Sequence, residues 1–192
     1  WGGGDLTNDA HRYAPVNPIA ISQLVTNTSL RRQFMGGLNL GFTIAKGLTA
    51  RTSFNANVNN GTSVYYQPQY AIGWVRNERA SLQAGRTQST YWNWNQLVEY
   101  TKQVGKHNVT LMASHESQYS DWSNLFGTRM DFLTNNVRDL NAGAQATATN
   151  QGGSDDWAME SYLGRFNYNY DNRYLLTATY RRDGSVFFGP DK

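Results

Sequence analysis

Histidines and acidic side chains are the residues most able to bind a metal ion or transfer a proton. The three histidines are His11, His107 and His115. His107 and His115 would lie on one face of a strand, but eight extended residues span about 27 Å, too far for a shared metal. We interpret them as single polar strand residues. The sequence therefore shows no constellation for catalysis, and we predict that the chain is not an enzyme.

The sequence also offers few groups of oxygen or sulfur ligands for a metal ion. Asp155 and Asp156, next to Gly153 and Ser154, could offer oxygens to a loop calcium ion, but their spacing matches no EF-hand. A solvated acidic loop is the favoured interpretation. The chain has no cysteine, which excludes a disulfide framework and thiolate metal sites. We predict no metal and no cofactor.

Aromatic side chains in two polar stretches are the best candidates for ligand contact. Flat rings with polar tips stack on sugars and hold peptides. The alternative is that these rings pack the loops against each other or against a partner protein. The predicted substrate-binding residues are Tyr65, Tyr66, Tyr70 and Trp74 in one stretch and Tyr119, Trp122 and Phe126 in the other.

The elements that carry these residues show a period of two. From Phe34 to Ile44 the even positions are Phe, Gly, Leu, Leu, Phe and Ile, and from Leu48 to Val58 apolar residues again alternate with polar ones. This pattern predicts two strands joined by a tight turn. Each has about ten residues or more, against five or six in an average strand, and about ten tilted residues cross an apolar band about 25 Å tall.

Short and long connections alternate along the chain. We predict a loop or lead-in over 1–29, strand hairpins over 30–59, 87–118 and 157–182, and long extracellular loops over 60–86 and 119–156. The turns at 46–47, 102–106 and 171–173 are short. Up-and-down strands then place all short turns at one end, which is the layout of a bacterial outer-membrane barrel.

The predicted fold is an all-β, antiparallel up-and-down transmembrane β-barrel. Six strands cannot close such a barrel, which needs about eight, and an open edge in lipid leaves backbone groups unpaired. We therefore expect a fragment of a larger barrel. Aromatics near the ends of the apolar faces suit interfacial girdles, although they could be ordinary strand aromatics; they are Trp92, Trp94, Tyr100, Tyr170 and Tyr174. Charged residues of the polar faces are expected to form interior salt bridges or to face a plug; they are Arg51, Glu99, Glu116 and Arg165.

Composition narrows the possible partners. The net charge is +3, from 17 basic and 14 acidic side chains, with no basic cluster. This argues against a nucleic-acid partner. No stretch is an apolar span of about 20 residues, so no transmembrane helix is predicted. The sequence starts at Trp1, and we expect it to be a piece of something longer.

Several strings, in order, resemble one family. The most specific is Gly164-Arg165-Phe166-Asn167-Tyr168-Asn169-Tyr170-Asp171-Asn172-Arg173-Tyr174-Leu175-Leu176-Thr177-Ala178; the others are Asn17-Pro18-Ile19-Ala20, Lys46-Gly47-Leu48, Gly105-Lys106-His107-Asn108-Val109, Arg182-Asp183-Gly184-Ser185 and Phe188-Gly189-Pro190-Asp191. From about residue 17 to the end, with the two long loops unmatched, the chain resembles the barrel of SusC/RagA-like TonB-dependent outer-membrane transporters. One departure is Val186-Phe187, where the family often has Ser-Arg.

The resemblance implies a segment of a multi-pass importer in the bacterial outer membrane. The implied barrel has 22 strands and an N-terminal plug, and a SusD-like surface lipoprotein closes over it. Import of oligosaccharides or peptides is driven by the TonB complex, which pulls on a plug-side motif. We find neither a plug nor that motif in these residues, so only the barrel role is carried over.

Two other functions stay open from the residues alone. A β-rich carbohydrate-binding module that is soluble by itself could also display Trp and Tyr on its surface. A passive porin or adhesin barrel would share the same strands and would differ only in parts that this sequence does not contain.

Overall fold

A computed structural model describes residues 18–72 and 75–186. The lead-in 1–17, with His11, the candidate Trp74 and the string 188–191 lie outside the described residues. The elements are a helix α1 (Pro18–Leu24), strands β1 (Thr26–Ala45), β2 (Leu48–Gln67), β3 (Tyr70–Ile72), β4 (Val75–Asn77), β5 (Ser81–Val104) and β6 (His107–Met130), short 3₁₀ helices at Leu140–Ala142 and Gln145–Thr147, and strands β7 (Thr149–Tyr170) and β8 (Tyr174–Ser185).

The six long strands form one sheet in the order β1-β2-β5-β6-β7-β8. Strand neighbours in the sheet follow each other along the chain, apart from the small β3-β4 pair, which forms its own sheet. β7 and β8 are antiparallel, with Tyr170 opposite Tyr174 and Met159 opposite Ser185. No helix among the described residues has the length and apolar character needed to cross a membrane. The prediction of an all-β, antiparallel, up-and-down arrangement is confirmed.

The strands are longer than the sequence pattern suggested. β2 continues to Gln67, β5 begins at Ser81, β6 continues to Met130 and β7 begins at Thr149. The predicted loops 60–86 and 119–156 are therefore largely strand, and this part of the prediction is wrong. The pattern failed because these extensions mix polar residues with scattered apolar ones such as Tyr66, Leu82 and Phe126, so the regular apolar alternation stops while the backbone hydrogen bonding continues.

The predicted lead-in 1–29 also needs correction where it is described. Pro18 begins a helix of seven residues, and β1 starts at Thr26 rather than near 30. Proline suits the first helical position because its missing N–H would have no partner there and its φ is already helical.

Residues with positive φ close the three short turns. Gly47 has φ of 79° and Gly105 has φ of 57°, whereas Asp171 and Asn172 have φ of 50° and 54°. The backbone N–H of Arg173 donates to the carbonyl of Tyr170 at 2.9 Å. Two consecutive left-handed residues inside this bond make a type I′ turn, which matches the twist of the flanking strands.

The chain divides into two compact units. The first, here the core unit, contains residues 1–32, 60–88 and 123–153; the second, here the turn unit, contains residues 33–59, 89–122 and 154–192. All four buried hydrophobic side chains found among the described residues lie in the core unit: Tyr66, Ala80, Leu82 and Phe132. The described part of the turn unit has no buried hydrophobic side chain, so its order depends on backbone pairing and on surface contacts.

Candidate functional site

One face of the turn unit is apolar and exposed, and we call it the apolar face. On β1, Phe34 is 68% exposed and Leu38 is 59% exposed. Trp94 on β5 is 46% exposed and Leu176 on β8 is 58% exposed. Side chains of this kind in a water-soluble domain would normally be covered, because burying each one stabilises the fold by about 1.5–3 kcal/mol.

The opposite face is polar, and its side chains bond to each other across strands. Asn57 Oδ1 accepts from Gln33 Nε2 at 3.0 Å and from Asn59 Nδ2 at 3.3 Å. Glu116 Oε1 accepts from Asn93 Nδ2 at 2.6 Å. Further pairs on this polar face are Asn59 with Ser89, Asn95 with Ser114, Thr101 with Thr110, Gln118 with Glu116 and Asn167 with Thr177. Cross-strand polar pairs of this kind stabilise a sheet whose face meets water.

The charged residues of the polar face do not form the predicted salt bridges among themselves in the described residues, and the alternative that they face a plug stays a prediction. Within the described residues, no salt bridge joins Arg51, Glu99, Glu116 and Arg165 to one another. Glu116 accepts hydrogen bonds from neutral amides instead. Charges that are not paired with one another in the described residues give this face local electrostatic fields of either sign.

Tyr66 lies inside the core unit rather than at its surface. Its side chain is fully buried, and its ring meets Phe132 edge to face with 5.7 Å between centroids. Arg138 lies 5.0 Å from the Tyr66 ring centroid, and the Tyr66 hydroxyl donates to Asn135 Oδ1 at 3.1 Å. Burial raises the pKa of the Tyr66 hydroxyl above its ordinary value. Tyr66 has no surface with which to contact a substrate, so it leaves the set of candidate residues.

The other candidates of the core unit differ in exposure. Tyr65 is 40% exposed, and Tyr70 is half-buried in β3. Phe126 is half-buried and packs so closely over Gly85 that a side chain at Gly85 would overlap its ring. Tyr65 is the candidate in this unit with a large accessible surface.

The two candidates of the turn unit lie on opposite faces of β6. Tyr119 is half-buried and its ring lies 6.0 Å from that of Trp92, on the apolar face. Trp122 is 46% exposed and alternates in step with Gln118 and Glu116 of the polar face. The second predicted cluster is therefore not one surface, and Trp122 is its member on the polar face.

A polar group on the apolar face was missed at the sequence level. His115 Nδ1 lies 2.8 Å from Gln96 Oε1, and His115 Nε2 lies 2.8 Å from Glu160 Oε1. The Tyr162 hydroxyl donates to the same Glu160 oxygen at 3.1 Å. The available signal was that Gln96 and Glu160 both interrupt an otherwise apolar alternation. The three residues come from β5, β6 and β7, so their contact is visible only once the pairing of these strands is known.

No cluster of three or more possible metal ligands occurs within the described part of the chain. The acidic pair Asp155-Asp156 lies in β7 rather than in a loop, which overturns the loop interpretation. The polar face offers amides, hydroxyls and isolated charges. Such groups can exchange hydrogen bonds with a polar molecule that contacts this face.

An ion pair in the core unit joins the residues just before β5 to the residue just after β6. Nε and Nη2 of Arg79 each donate to a carboxylate oxygen of Asp131 at 2.7 Å. The Asp131 N–H donates to the carbonyl of Ala80 at 3.0 Å, with a φ of 58° at Asp131. The hydrogen bond from Arg79 lowers the pKa of the Asp131 carboxyl below its ordinary value, and the nearby positive charge adds to this effect.

Comparison with known proteins gives one consistent family. The TonB-dependent receptor P39 of Formosa agariphila is 31% identical over 192 residues, covering 94% of this chain and 18% of that protein. The TonB-dependent receptor SusC of Bacteroides thetaiotaomicron is 27% identical over 182 residues, covering 93% of this chain and 17% of that protein. The chain thus spans about a fifth of the length of the curated relatives it matches. No family model matches it.

Solved structures show the same fold. The structure of the RagAB peptide transporter matches with a TM-score of 0.80 at 18% identity, over 88% of this chain and 19% of the other. The RagAB peptide importer in its "open-open" state matches with a TM-score of 0.81. These relatives are receptors and transporters rather than enzymes. The resemblance to SusC/RagA-like TonB-dependent transporters and the fold class of a barrel segment are confirmed.

Proposed function

Because the chain is SusC/RagA-like over more than nine-tenths of its length, we propose that it forms part of the outer-membrane barrel of a TonB-dependent nutrient importer. One observation carries the proposal. The turn unit has an exposed apolar face and, opposite it, a hydrogen-bonded polar face. In a barrel the first face meets lipid and the second lines the interior.

The surface area supports this proposal over a carbohydrate-binding module that is soluble by itself. The chain exposes 14262 Å² at a mass of 21.7 kDa, whereas a compact soluble protein of that mass exposes about 9,200 Å². Four buried hydrophobic side chains in the described residues are too few to hold a soluble domain of this size.

The proposed substrates are oligosaccharides or peptides. The RagAB structures are described as those of a peptide transporter and peptide importer, and this favours peptides as the first class to test. We include a SusD-like surface lipoprotein as the proposed partner at the outer side. Coupling to the TonB complex would pass through a plug domain outside these residues.

The proposed mechanism is gated passage without bond chemistry. Amides and hydroxyls of the polar face replace part of the water around a polar solute, and isolated charges such as Arg51 and Arg165 bias which solutes pass. Trp122 is the proposed stacking residue of the turn unit, and Tyr65 that of the core unit. Energy enters when the plug is displaced, because a transporter moves solute only if its states differ in affinity.

Uptake measurements on the full-length importer test the proposal. Cells that carry the full-length protein should import the peptide or oligosaccharide only with a working TonB complex. A passive porin would pass the solute equally well when that complex is disabled, and this result would contradict the importer function.

Two tryptophans of equal exposure give a matched test of the substrate face. Trp122 on the polar face and Trp94 on the apolar face are each 46% exposed. We expect Trp122→Ala to weaken substrate affinity about tenfold, which corresponds to about 1.4 kcal/mol of lost stacking. Trp94→Ala should leave affinity unchanged at equal amounts of barrel in the membrane. Equal effects of both variants would exclude a specific role for Trp122.

A further inference from the structure

The apolar face of β6 to β8 carries two polar and aromatic clusters, and their spacing bears on how deep the strands sit in the membrane. We propose that the cluster around His115 marks the outer-leaflet headgroup level, and that the cluster around His107 marks the opposite level. The inference rests on the proposed outer-membrane function and adds to it the depth of each strand. The partner of both clusters is the headgroup layer of the lipid bilayer.

The lower cluster lies where the short turns are. His107 Nδ1 lies 2.7 Å from the Tyr168 hydroxyl, and its ring centroid lies 4.9 Å from that of Tyr170. The adjoining turns carry charge, because Lys106 Nζ lies 3.0 Å from Asp171 Oδ2. Tyrosine, histidine and paired charges together are suited to the border between hydrocarbon and water.

The upper cluster joins three strands on the same face. His115 of β6 contacts Gln96 of β5 and Glu160 of β7, and its ring centroid lies 4.8 Å from that of Tyr162. Arg182 of β8 is exposed and pairs in register with Tyr162. The Glu160 side chain is 55% exposed. A carboxylate exposed to that degree is costly in hydrocarbon but is solvated among headgroups.

Only uncharged residues lie between the two clusters on this face. They are Val109, Leu111 and Ala113 on β6, Gly164 and Phe166 on β7, and Leu176, Ala178 and Tyr180 on β8. Eight residues from His107 to His115 extend about 27 Å along the strand, or about 21 Å along the membrane normal at a tilt of about 40°. This distance is close to the apolar band of an outer-membrane barrel, about 25 Å tall. The spacing that is too long for a shared metal thus fits a bilayer.

A concave surface adjoins the upper cluster. A cavity of about 500 Å³ is lined by Trp92, Tyr119, Glu160, Gly184 and Val186, among others. Its lining combines the large rings of Trp92 and Tyr119 with the carboxylate of Glu160. The missing side chain of Gly184 leaves space for the cavity. An amphipathic recess at this level fits the region where acyl chains meet headgroups.

Spin labels attached to single cysteines test the depth, and the chain has no cysteine of its own. The full-length protein in lipid vesicles carries a label at Leu111→Cys, Ser117→Cys or Ala178→Cys. Thr179→Cys, on the polar face beside Ala178, is the matched control. Relaxation by oxygen, which concentrates in hydrocarbon, is compared with relaxation by a water-soluble nickel chelate.

We expect labels at Leu111 and Ala178 to favour oxygen and the label at Ser117, two residues past His115, to favour nickel. If the Ser117 label favours oxygen as strongly as the Leu111 label, the His115 cluster lies within hydrocarbon and the inference is wrong, while the membrane placement stands. If the Leu111 label favours nickel as much as the Thr179 control does, the membrane placement itself is wrong, and the inference fails with it.

Discussion

Tyr65 and Tyr66 are neighbours in β2, and the alternation of the strand gives them different roles. Tyr66 is fully buried against Phe132, whereas Tyr65 keeps 40% of its surface. A cluster of tyrosines in sequence is therefore not a cluster in space, because successive side chains leave a strand on opposite faces. In this chain, the face of the strand on which each aromatic side chain lies determines whether it can contact a ligand.

Removal of the Tyr66 ring should loosen the segment that links β6 to β7. A buried aromatic truncated to alanine costs about 3–5 kcal/mol. For Tyr66→Ala we expect amide hydrogen exchange in residues 131–148 to rise about 100-fold or more. Tyr66→Phe keeps the ring and loses only the hydroxyl bond to Asn135, so its increase should be about tenfold or less. Equal exchange in both variants would mean that the ring does not hold this segment.

The Arg79–Asp131 pair predicts a pH dependence at low pH. The folded pKa of Asp131 is lowered, so the pair stabilises the fold above the unfolded pKa, and this contribution is lost as pH falls through the folded pKa. Protection of residues 131–148 from exchange should thus be constant from neutral pH to about pH 5 and decrease below about pH 4. The effect should be small, because both side chains are well exposed to solvent.

Asp131→Asn is the informative variant for this pair. Asparagine tolerates the positive φ at this position, so the backbone turn is kept while the charge is removed. Protection at neutral pH should fall slightly, and the step at low pH should disappear. A step that persists in Asp131→Asn would assign the titration to another carboxyl.

Strands of 20 to 24 residues are the structural unit that the rest of the molecule depends on. The half of these strands near the short turns has an apolar face and a polar face, whereas the remainder mixes polar residues with core residues such as Tyr66 and Leu82. The backbone ladder does not distinguish these halves, because its hydrogen bonds are independent of the side chains. The free-energy cost of a charged side chain on either face, by contrast, depends on whether that face contacts lipid or water.

Neighbouring residues of β6 allow the two faces to be compared directly. Leu111 lies on the apolar face midway between His107 and His115, and Thr110 lies on the polar face. Leu111→Arg should destabilise the full-length barrel by about 2–4 kcal/mol, as expected for arginine facing lipid near the bilayer midplane. Thr110→Arg should cost about 1 kcal/mol or less. The measurement is the temperature at which the folded gel band converts to the unfolded one. A larger shift for Thr110→Arg would reverse our assignment of the faces.

The β7–β8 turn tests the local conformation. Asp171 and Asn172 both have positive φ, and Asn169 and Asn172 bond to each other, with Nδ2 to Oδ1 at 2.7 Å. Asn172→Gly should be tolerated, since glycine adopts positive φ without strain. Asn172→Val should reduce the amount of folded barrel in the membrane, because a β-branched residue is strained there by about 1–2 kcal/mol or more. Equal yields from both variants would show that the turn does not direct this hairpin.

At the scale of the whole chain, too little apolar surface is covered. The chain exposes 14262 Å², and this area includes the apolar face of the turn unit. Another medium has to cover that face. The outermost strands of the sheet, β1 and β8, each have a neighbour on one side only within the described residues. Unpaired strand edges bind other edges or aggregate in water.

Residues 1–192 expressed alone should therefore not give a monomer in detergent-free buffer. We expect insoluble protein that dissolves in detergent and regains β-sheet circular dichroism. The measurement is size-exclusion chromatography with light scattering, with and without detergent. A monodisperse β-rich monomer in plain buffer would support the soluble carbohydrate-binding module over the importer segment.

The class of fold and the two faces of the strands were both predictable from local sequence patterns. Period-two alternation at positions such as Phe34, Leu38 and Leu40 is a local property, since side chains leave an extended backbone on alternate sides whatever surrounds it. The turns at Gly47 and Gly105 could also be predicted from local sequence, because glycine adopts a positive φ without strain. The specific string 164–178 was enough to indicate the family.

The ends of the strands and the contacts between distant side chains became known from the three-dimensional fold alone. The extensions of β2 and β6 give no clear alternation signal, because polar residues stand on both of their faces among apolar ones such as Tyr66 and Phe126, and the pairing partner is distant in sequence. The meeting of Gln96, His115 and Glu160 depends on the register of three strands. Register is set by backbone pairing over the whole sheet, and that pairing cannot be read from any one stretch of the chain.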